Sequence, residues 1–255
     1  MNTKISTKFK KLTIIFIILT VTVLLTVKLF GDVRQVRMFY TSLPLSVPEI
    51  ALRIAPGIDN HSPVEEIPEA ELTTPDLILL GARAEVKNST RYDASYAAIS
   101  YPGGDVSPDY GACTDVVVRA FRNGGIDLQQ LIHEDMQENF HLYPQRWGLS
   151  RPDPNIDHRR VPNQMRFLER HAITLALEVE DNLEQWQWGD VVYWQFPDGR
   201  DHCGIISDRT RRDGVPLAIH NAGITREEDC LLRWKITGHF RWDEEASSFA
   251  PVPSL

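Results

Sequence analysis

The hydrophobic period of this chain changes once, near Trp188, and that change restricts the possible folds more than any other feature. Before it, apolar residues recur at helical spacing; after it, they alternate. Asp76–Arg83 reads as a helix capped by Thr74 or Asp76. Val116, Val117, Ala120 and Phe121 share one face of a helix that opens at Cys113, and Gly124-Gly125 supplies a stop. Its three consecutive valines would also suit a strand. Leu128–His141 continues as helix, Pro144–Pro162 is irregular and rich in charge, and Gln164–Arg170 is a short helix. Beyond Gly189-Asp190, period-two segments follow at Val191–Phe196, His202–Ser207, Leu217–Asn221, Cys230–Trp234 and His239–Trp242. Asp208–Gly214 forms a polar hairpin loop between two of them. Helices followed by an antiparallel meander make an α+β domain. Trp186, Trp188, Trp194, Trp234 and Trp242 fall among the apolar strand positions, where packing into the core is expected.

The amino-terminal part obeys different rules. Sixteen residues without a charge separate Lys11 from Lys28, and Leu29 and Phe30 extend the apolar run. As a helix, residues 12–31 would span roughly 30 Å, one hydrocarbon core. Small residues at an A-x-A-like cleavage site are missing after it, so residues 1–31 read as a cytoplasmic tip and an uncleaved signal anchor. The lysines on its amino side keep the N-terminus in the cytoplasm, which places the body on the extracytoplasmic, periplasmic side of the cytoplasmic membrane. Residues 32–73 are rich in proline and glutamate and read as a tether, with room for a short helix near Glu65–Leu72. The folded body is expected over 74–243, and 244–255 as a flexible tail.

Charge narrows the partners. Of 27 lysines and arginines, five lie in residues 1–31, which hold no acid; this leaves 22 bases against 35 acids, a net −13, in residues 32–255. Such a body repels phosphate backbones, so nucleic acid is not an expected partner.

The chemistry centres on Cys113. It stands where a glycine-containing loop enters a helix, so the helix dipole favours its thiolate and free backbone N–H groups can hold an oxyanion. A base must come from elsewhere. His202 begins one strand and His220 ends the next; hairpin pairing brings both to one end of the sheet. A nucleophile, a base and a residue that fixes the base's tautomer constitute a triad. Asn221 is the alternative orienter, because alternation aims only one of His220 and Asn221 at His202.

Gly111-Ala112-Cys113-Thr114-Asp115-Val116-Val117, His133-Glu134-Asp135-Met136, Tyr143-Pro144, Asn155-Ile156-Asp157-His158-Arg159-Arg160-Val161-Pro162 and Thr237-Gly238-His239 resemble a bacterial family known only as domain of unknown function 1287. The likeness covers about Leu77–Arg241. That family in turn resembles the papain-like cell-wall peptidases and amidases of the NlpC and CHAP type, through the cysteine at a helix start, Gly189-Asp190-Val191-Val192-Tyr193, His202-Cys203-Gly204-Ile205-Ile206 and Ile219-His220. The resemblance implies a papain-like domain without cofactor, in which Cys113 attacks an amide of a peptidoglycan stem peptide, His202 is the base and His220 the orienter. It also implies that Tyr101, twelve residues before the cysteine, lies near the oxyanion. Rival readings on the same scaffold are a non-catalytic envelope binding module and a thiol acyltransferase.

Some features depart from that pattern. Thr114-Asp115 stands where NlpC-type enzymes carry Ser-Gly, and Asp115 opposes a depressed thiol pKa. Asp157, His158 and Arg159 read either as a substrate clamp for carboxylates or as an internal ion-pair network. His133-Glu134-Asp135 with His141 or His158 matches no metal-ligand spacing, and no metal is expected. The three cysteines allow a Cys203–Cys230 disulfide that leaves Cys113 free, three reduced thiols, or a pairing that consumes the nucleophile.

Overall fold

In the computed structural model, residues 57–243 are described. The chain divides into Met1–Gly57 and Ile58–Leu255, and every element below belongs to the second unit. The apolar segment 12–31, most of the tether and the tail 244–255 lie outside the described residues. Among the described residues no helix is long and apolar enough to cross a membrane.

The folded unit starts earlier than the prolines suggest. Strand β1 (Ile58–Asp59) pairs antiparallel with the far end of a later strand, Ile58 opposite Arg211. Ser62 Oγ and the Val64 N–H then donate to Asp208 Oδ2 at 2.8 and 2.9 Å. Val64 is buried in the core. Proline stops a long helix here but permits the short 3₁₀ turns Pro63–Glu66 and Glu69–Glu71, and the buried Asp208 carboxylate needs donors that only this segment and Arg83 provide. Residues 58–73 are therefore part of the body, not of a tether.

Four helices follow the expected plan with shifted ends. Helix α1 (Thr74–Asn88) is capped by Thr73, whose N–H donates to Asp76 Oδ2 at 2.8 Å in a capping box. Helix α2 runs Cys113–Asn123, and α3 runs Leu128–Asn139 with Asp127 as its cap. Helix α4 (Val161–His171) begins three residues before its sequence-predicted start, because Pro162 suits the first turn of a helix. Two short strands precede α2: β2 (Arg91–Tyr92) and β3 (Tyr110–Gly111), paired in parallel.

The main sheet is antiparallel throughout and contains β4 (Ile173–Thr174), β5 (Val191–Gln195), β6 (Asp201–Arg211), β7 (Pro216–Asn221), β8 (Thr225–Glu228) and β9 (Lys235–Arg241). Its order is β4-β9-β5-β6-β7-β8, with β1 added to β6. Thus β5 to β8 form the expected meander, and β9 returns to the open side of β5. Cys230–Trp234 is not a strand. Thr225–Glu228 takes that place beside β7, and Cys230–Trp234 forms the turn leading to β9.

Alternation along the strands builds two cores. Val191, Tyr193, Cys203, Ile205, Ile219 and Phe240 face the helices, where Val116, Val117, Phe121 and Leu168 complete one cluster. Val192, Trp194, Ile206 and Ala218 face the other way and are covered by Val179, Trp186, Val215, Cys230 and Leu231. Trp186, Trp194 and Trp242 are buried, as expected for core residues. Cys203 and Cys230 lie in different clusters, and all three cysteines are free thiols.

The start of α2 is fastened by a buried ion pair. Arg159 Nε and Nη2 donate to the two oxygens of Asp115 at 2.8 and 2.9 Å, and the remaining N–H groups reach the carbonyls of Ser95 and Asp93. Asp115 Oδ2 also accepts from the Ala112 N–H at 2.6 Å. Removing one member of such a pair strands the other as an unpaired buried charge, at a cost of about 3–5 kcal/mol. Arg159→Met should therefore lower the free energy of unfolding by roughly that amount in urea titration. The double variant Arg159→Met/Asp115→Leu should recover most of the loss. A single variant as stable as the parent would show that the pair does not hold the helix start.

Candidate active site

Cys113 is the first residue of α2, preceded by Ala112 in extended conformation. Helix geometry leaves the first N–H groups of α2 without intrahelical acceptors, and their partial positive charge favours a thiolate. The loop that delivers the cysteine is held from three directions. Asp115 takes the Ala112 N–H. Asn221 Nδ2 donates to the Gly111 carbonyl at 2.9 Å and to the Thr90 carbonyl at 3.1 Å. Arg119 Nη2 donates to the Tyr110 carbonyl at 3.0 Å. Gly111 is required here by space: a Cβ would stand 2.9 Å from Asp115 Cβ.

The base arrives on β6. Pairing sets Gly204 opposite His220 and Trp194 opposite His202, so His202, Gly204 and His220 share the face of Trp194. His202 Nε2 lies 2.9 Å from His220 Nδ1. A Cβ on Gly204 would meet the Ile219 carbonyl at 2.6 Å and His220 Cβ at 3.1 Å, so only glycine lets the two histidine-bearing strands approach this closely. The rings of Trp194, Phe196 and Trp234 surround His202, with centroids 5.7, 4.7 and 5.7 Å away. On the other side, His220 Nε2 lies 3.0 Å from Glu228 Oε1. Glu228 is on β8, two residues along from the partner of His220 and therefore on the same face.

These contacts have a direction. Burial works against ionisation of Glu228, yet hydrogen bonds from Arg233 and His220 hold its carboxyl below the usual range. A carboxylate only accepts, so His220 Nε2 carries the hydrogen. Burial and the neighbouring His202 push the His220 imidazole down to about 4, against the pull of Glu228. His220 is therefore neutral at pH 7, and its Nδ1 is an acceptor. His202 Nε2–H donates to it, which leaves His202 Nδ1 for the thiol. A hydrogen bond from the Cys203 thiol, and behind it the hydrogen bond and positive charge of His202, hold Cys113 well below an ordinary thiol although burial opposes this. Burial raises the Cys203 thiol well above its ordinary value, so it keeps its hydrogen; its Sγ also lies 4.0 Å from Gln164 Oε1. Arg159 neutralises Asp115, which removes the objection that this carboxylate raises from sequence.

Of the residues singled out in the sequence, the structure brings together Cys113, His202 and His220. Asn221 is not the orienter. Alternation turns it to the opposite face, and its amide is occupied by the loop carbonyls. Arg159 is not free to clamp a substrate, since its guanidinium is bound internally. Asp157 is likewise buried, accepting from the Asp153 N–H and from Arg160. His158 is buried, and burial pushes its imidazole down to about 3, so it stays neutral. The ion-pair network, rather than the substrate clamp, describes this segment. Tyr101 stacks edge-on against His133, 4.8 Å between centroids, with no contact to Cys113 among those observed. Tyr92 is the tyrosine nearer the cysteine loop: β2 sets it opposite Gly111, and burial followed by the charge of Cys113 raises its phenol. Glu228 and Tyr92 were missed. Period-two alternation from His220 across the tight β7–β8 turn could have indicated Glu228; nothing in the sequence distinguishes Tyr92 from its neighbours. Asp135 is bound to Tyr143, Arg170 and Asn139, so His133-Glu134-Asp135 does not gather as a metal site.

Access to the thiol is narrow. Cys113, His202 and His220 are 4%, 2% and 3% exposed. A cavity of about 350 Å³ reaches Asp201, the neighbour of His202; its polar lining includes Arg146, Arg166 and Glu169.

Comparison with known proteins places the chain. Residues 79–242 match the family model described as Domain of unknown function (DUF1287). A relative in Escherichia coli strain K12, "Uncharacterized protein YijF", is 48% identical over 163 residues, which cover 64% of this chain and 78% of that protein. No solved structure matches. The chain belongs to the DUF1287 family.

Proposed function

We propose that the domain is a papain-like cysteine hydrolase that cleaves an amide of a peptidoglycan stem peptide or a similar envelope peptide, held at the cytoplasmic membrane by residues 12–31. The observation that carries this reading is the hydrogen-bonded run Glu228–His220–His202, set beside a helix-start thiol that His202 helps to hold low. Burial alone raises a thiol, as it does for Cys230, pushed up to about 12; Cys113 is moved the other way by its neighbours.

The chemistry follows from the geometry. The Cys113 thiolate attacks the carbonyl carbon; a C–S bond forms and the carbonyl oxygen becomes an oxyanion. The N–H groups at the start of α2 are the donors on that side. His202, protonated at Nδ1 by the thiol, gives this proton to the amide nitrogen, and the C–N bond breaks. Water then attacks the thioester with His202 as base, the C–S bond breaks, and Cys113 is regenerated. Glu228 and His220 are positioning residues: they fix the hydrogen on His202 Nε2 throughout. The mixed cationic and anionic lining beside Asp201 suits a peptide that carries both carboxylates and an amine. The net −13 of residues 32–255 disfavours adhesion to anionic wall polymers, so recognition rests on such local contacts.

Two measurements on the full chain test this reading. A lowered pKa keeps the thiolate present as pH falls. Alkylation of Cys113 should therefore stay level between pH 8 and 6, where an ordinary thiol of pKa about 8.5 slows roughly tenfold per unit. His202→Ala should move the profile towards the ordinary one, since His202 supplies part of the lowering. A Cys113 that follows the ordinary profile in the parent contradicts the thiolate–imidazolium pair.

Glu228→Gln tests the far end of the chain. An amide can donate to His220 Nε2 and so stabilise the opposite tautomer. The pH at which Cys113 alkylation falls to half its plateau should rise by about one unit or more, with unfolding little changed. An unchanged midpoint would remove Glu228 from the machinery.

A further inference from the structure

The carboxylate that ends the proton chain has a second neighbour. Cys230 follows Glu228 by two residues and is buried against the same face of the sheet. A His220 ring nitrogen, a Glu228 oxygen and Cys230 Sγ all lie within 4.8 Å of one another, and the nitrogen that faces Glu228 is Nε2. This is the one such gathering of three potential ligands among the described residues. An imidazole, a carboxylate and a thiol are the donor set of zinc and of metals with similar preferences, and three protein ligands leave a fourth position for water.

We propose that His220, Glu228 and Cys230 form a site for a divalent transition metal such as zinc, and that filling it reverses the hydrogen-bond chain and disarms Cys113. The second half of this statement rests on the thiol-hydrolase reading; the site itself does not.

The fit needs little rearrangement. Donors around a tetrahedral zinc lie about 3.5 Å apart, given bonds of roughly 2.0–2.3 Å. His220 Nε2 and Glu228 Oε1 are 3.0 Å apart, so they open slightly while the thiol closes by about an ångström. Arg233 Nη1, which donates to Glu228 Oε1 at 2.7 Å, must leave. Its side chain is 43% exposed and can turn to solvent. The ion then supplies the positive charge that Arg233 withdraws.

The effect on the thiol follows from which nitrogen carries hydrogen. Without metal, His220 Nε2–H points to Glu228, and His220 Nδ1 accepts from His202. With metal, the ion occupies Nε2 and displaces its proton to solvent, and Cys230 releases a second proton as it ligates. His220 must then carry hydrogen on Nδ1, and it receives the one that sat on His202 Nε2. His202 is left neutral, with a lone pair at Nε2. It can no longer be an imidazolium, because a hydrogen at Nε2 would collide with that on His220 Nδ1. The Cys113 thiolate loses its counter-charge. Metal and catalytic proton arrangement thus exclude each other through one shared imidazole.

The test titrates Co²⁺ into the full chain in the Cys113→Ala background and reads thiolate-to-cobalt absorption. Zn²⁺ is added to the parent while Cys113 alkylation is followed. A cobalt–thiolate band that disappears in Cys230→Ser, with alkylation slowed about tenfold or more by zinc in the parent but not in Cys230→Ser, is the expected result. Cys203→Ala keeps the band if Cys230 is the ligand. Absence of the band, or its loss in Cys203→Ala with retention in Cys230→Ser, overturns the site. A band without any change in alkylation overturns the coupling. Should Cys113 prove an ordinary thiol without metal, the hydrolase reading fails while the cobalt band still decides the site.

Discussion

A carboxylate in the first turn of a helix is an awkward neighbour for a thiolate, and the body is organised around neutralising it. Asp115 caps the Ala112 N–H, which sets the angle at which the loop enters α2. Alone, its charge would raise the thiol two residues away. Arg159 closes the account by gripping both oxygens from a buried position. That requirement explains the irregular stretch before α4. Its 3₁₀ turn Asp157–Arg159 exists to bring one guanidinium to α2, and Thr114 Oγ1 ties the same turn back through the Arg159 carbonyl at 2.9 Å.

The architecture was legible wherever periodicity was strong. The cysteine at a helix start, the two histidines on adjacent strands and the α+β order all follow from patterns that local chemistry imposes. The amino end of the body was not legible. Proline signals what a segment cannot form, and it is silent about a buried aspartate 144 residues later that needs the Val64 N–H. The turn Cys230–Trp234 was misread for a related reason: alternating apolar residues in a turn that covers a sheet look like a strand. The choice between His220 and Asn221 could be posed from sequence but not decided, since it depends on register. Arg159 looked like a substrate ligand because its partner lies 44 residues away.

The site differs from a simple triad in its length. Three residues on three strands, His202, His220 and Glu228, carry one hydrogen-bond direction that ends at the carboxylate, and Gly204 permits the strand contact that keeps the His202–His220 step at 2.9 Å. Aromatic rings around His202 exclude water and raise the strength of each contact. The His220 imidazole that stands in the middle of this run also lies beside Glu228 and Cys230, so one ring belongs to both arrangements. The second thiol, Cys203, contributes from the helix side: raised by burial, it keeps its hydrogen and supports the Cys113 thiolate.

The direction of hydrogen bonding along this chain is the central claim, and imidazole nitrogen resonances read it directly. In ¹⁵N-labelled full-length protein without metal at pH 7, assigned through the His202→Ala and His220→Ala variants, His220 should be a neutral ring with hydrogen on Nε2. His202 should carry hydrogen on Nε2, donated to His220 Nδ1. A His220 that carries its hydrogen on Nδ1, or a His202 without hydrogen on Nε2, would contradict this direction.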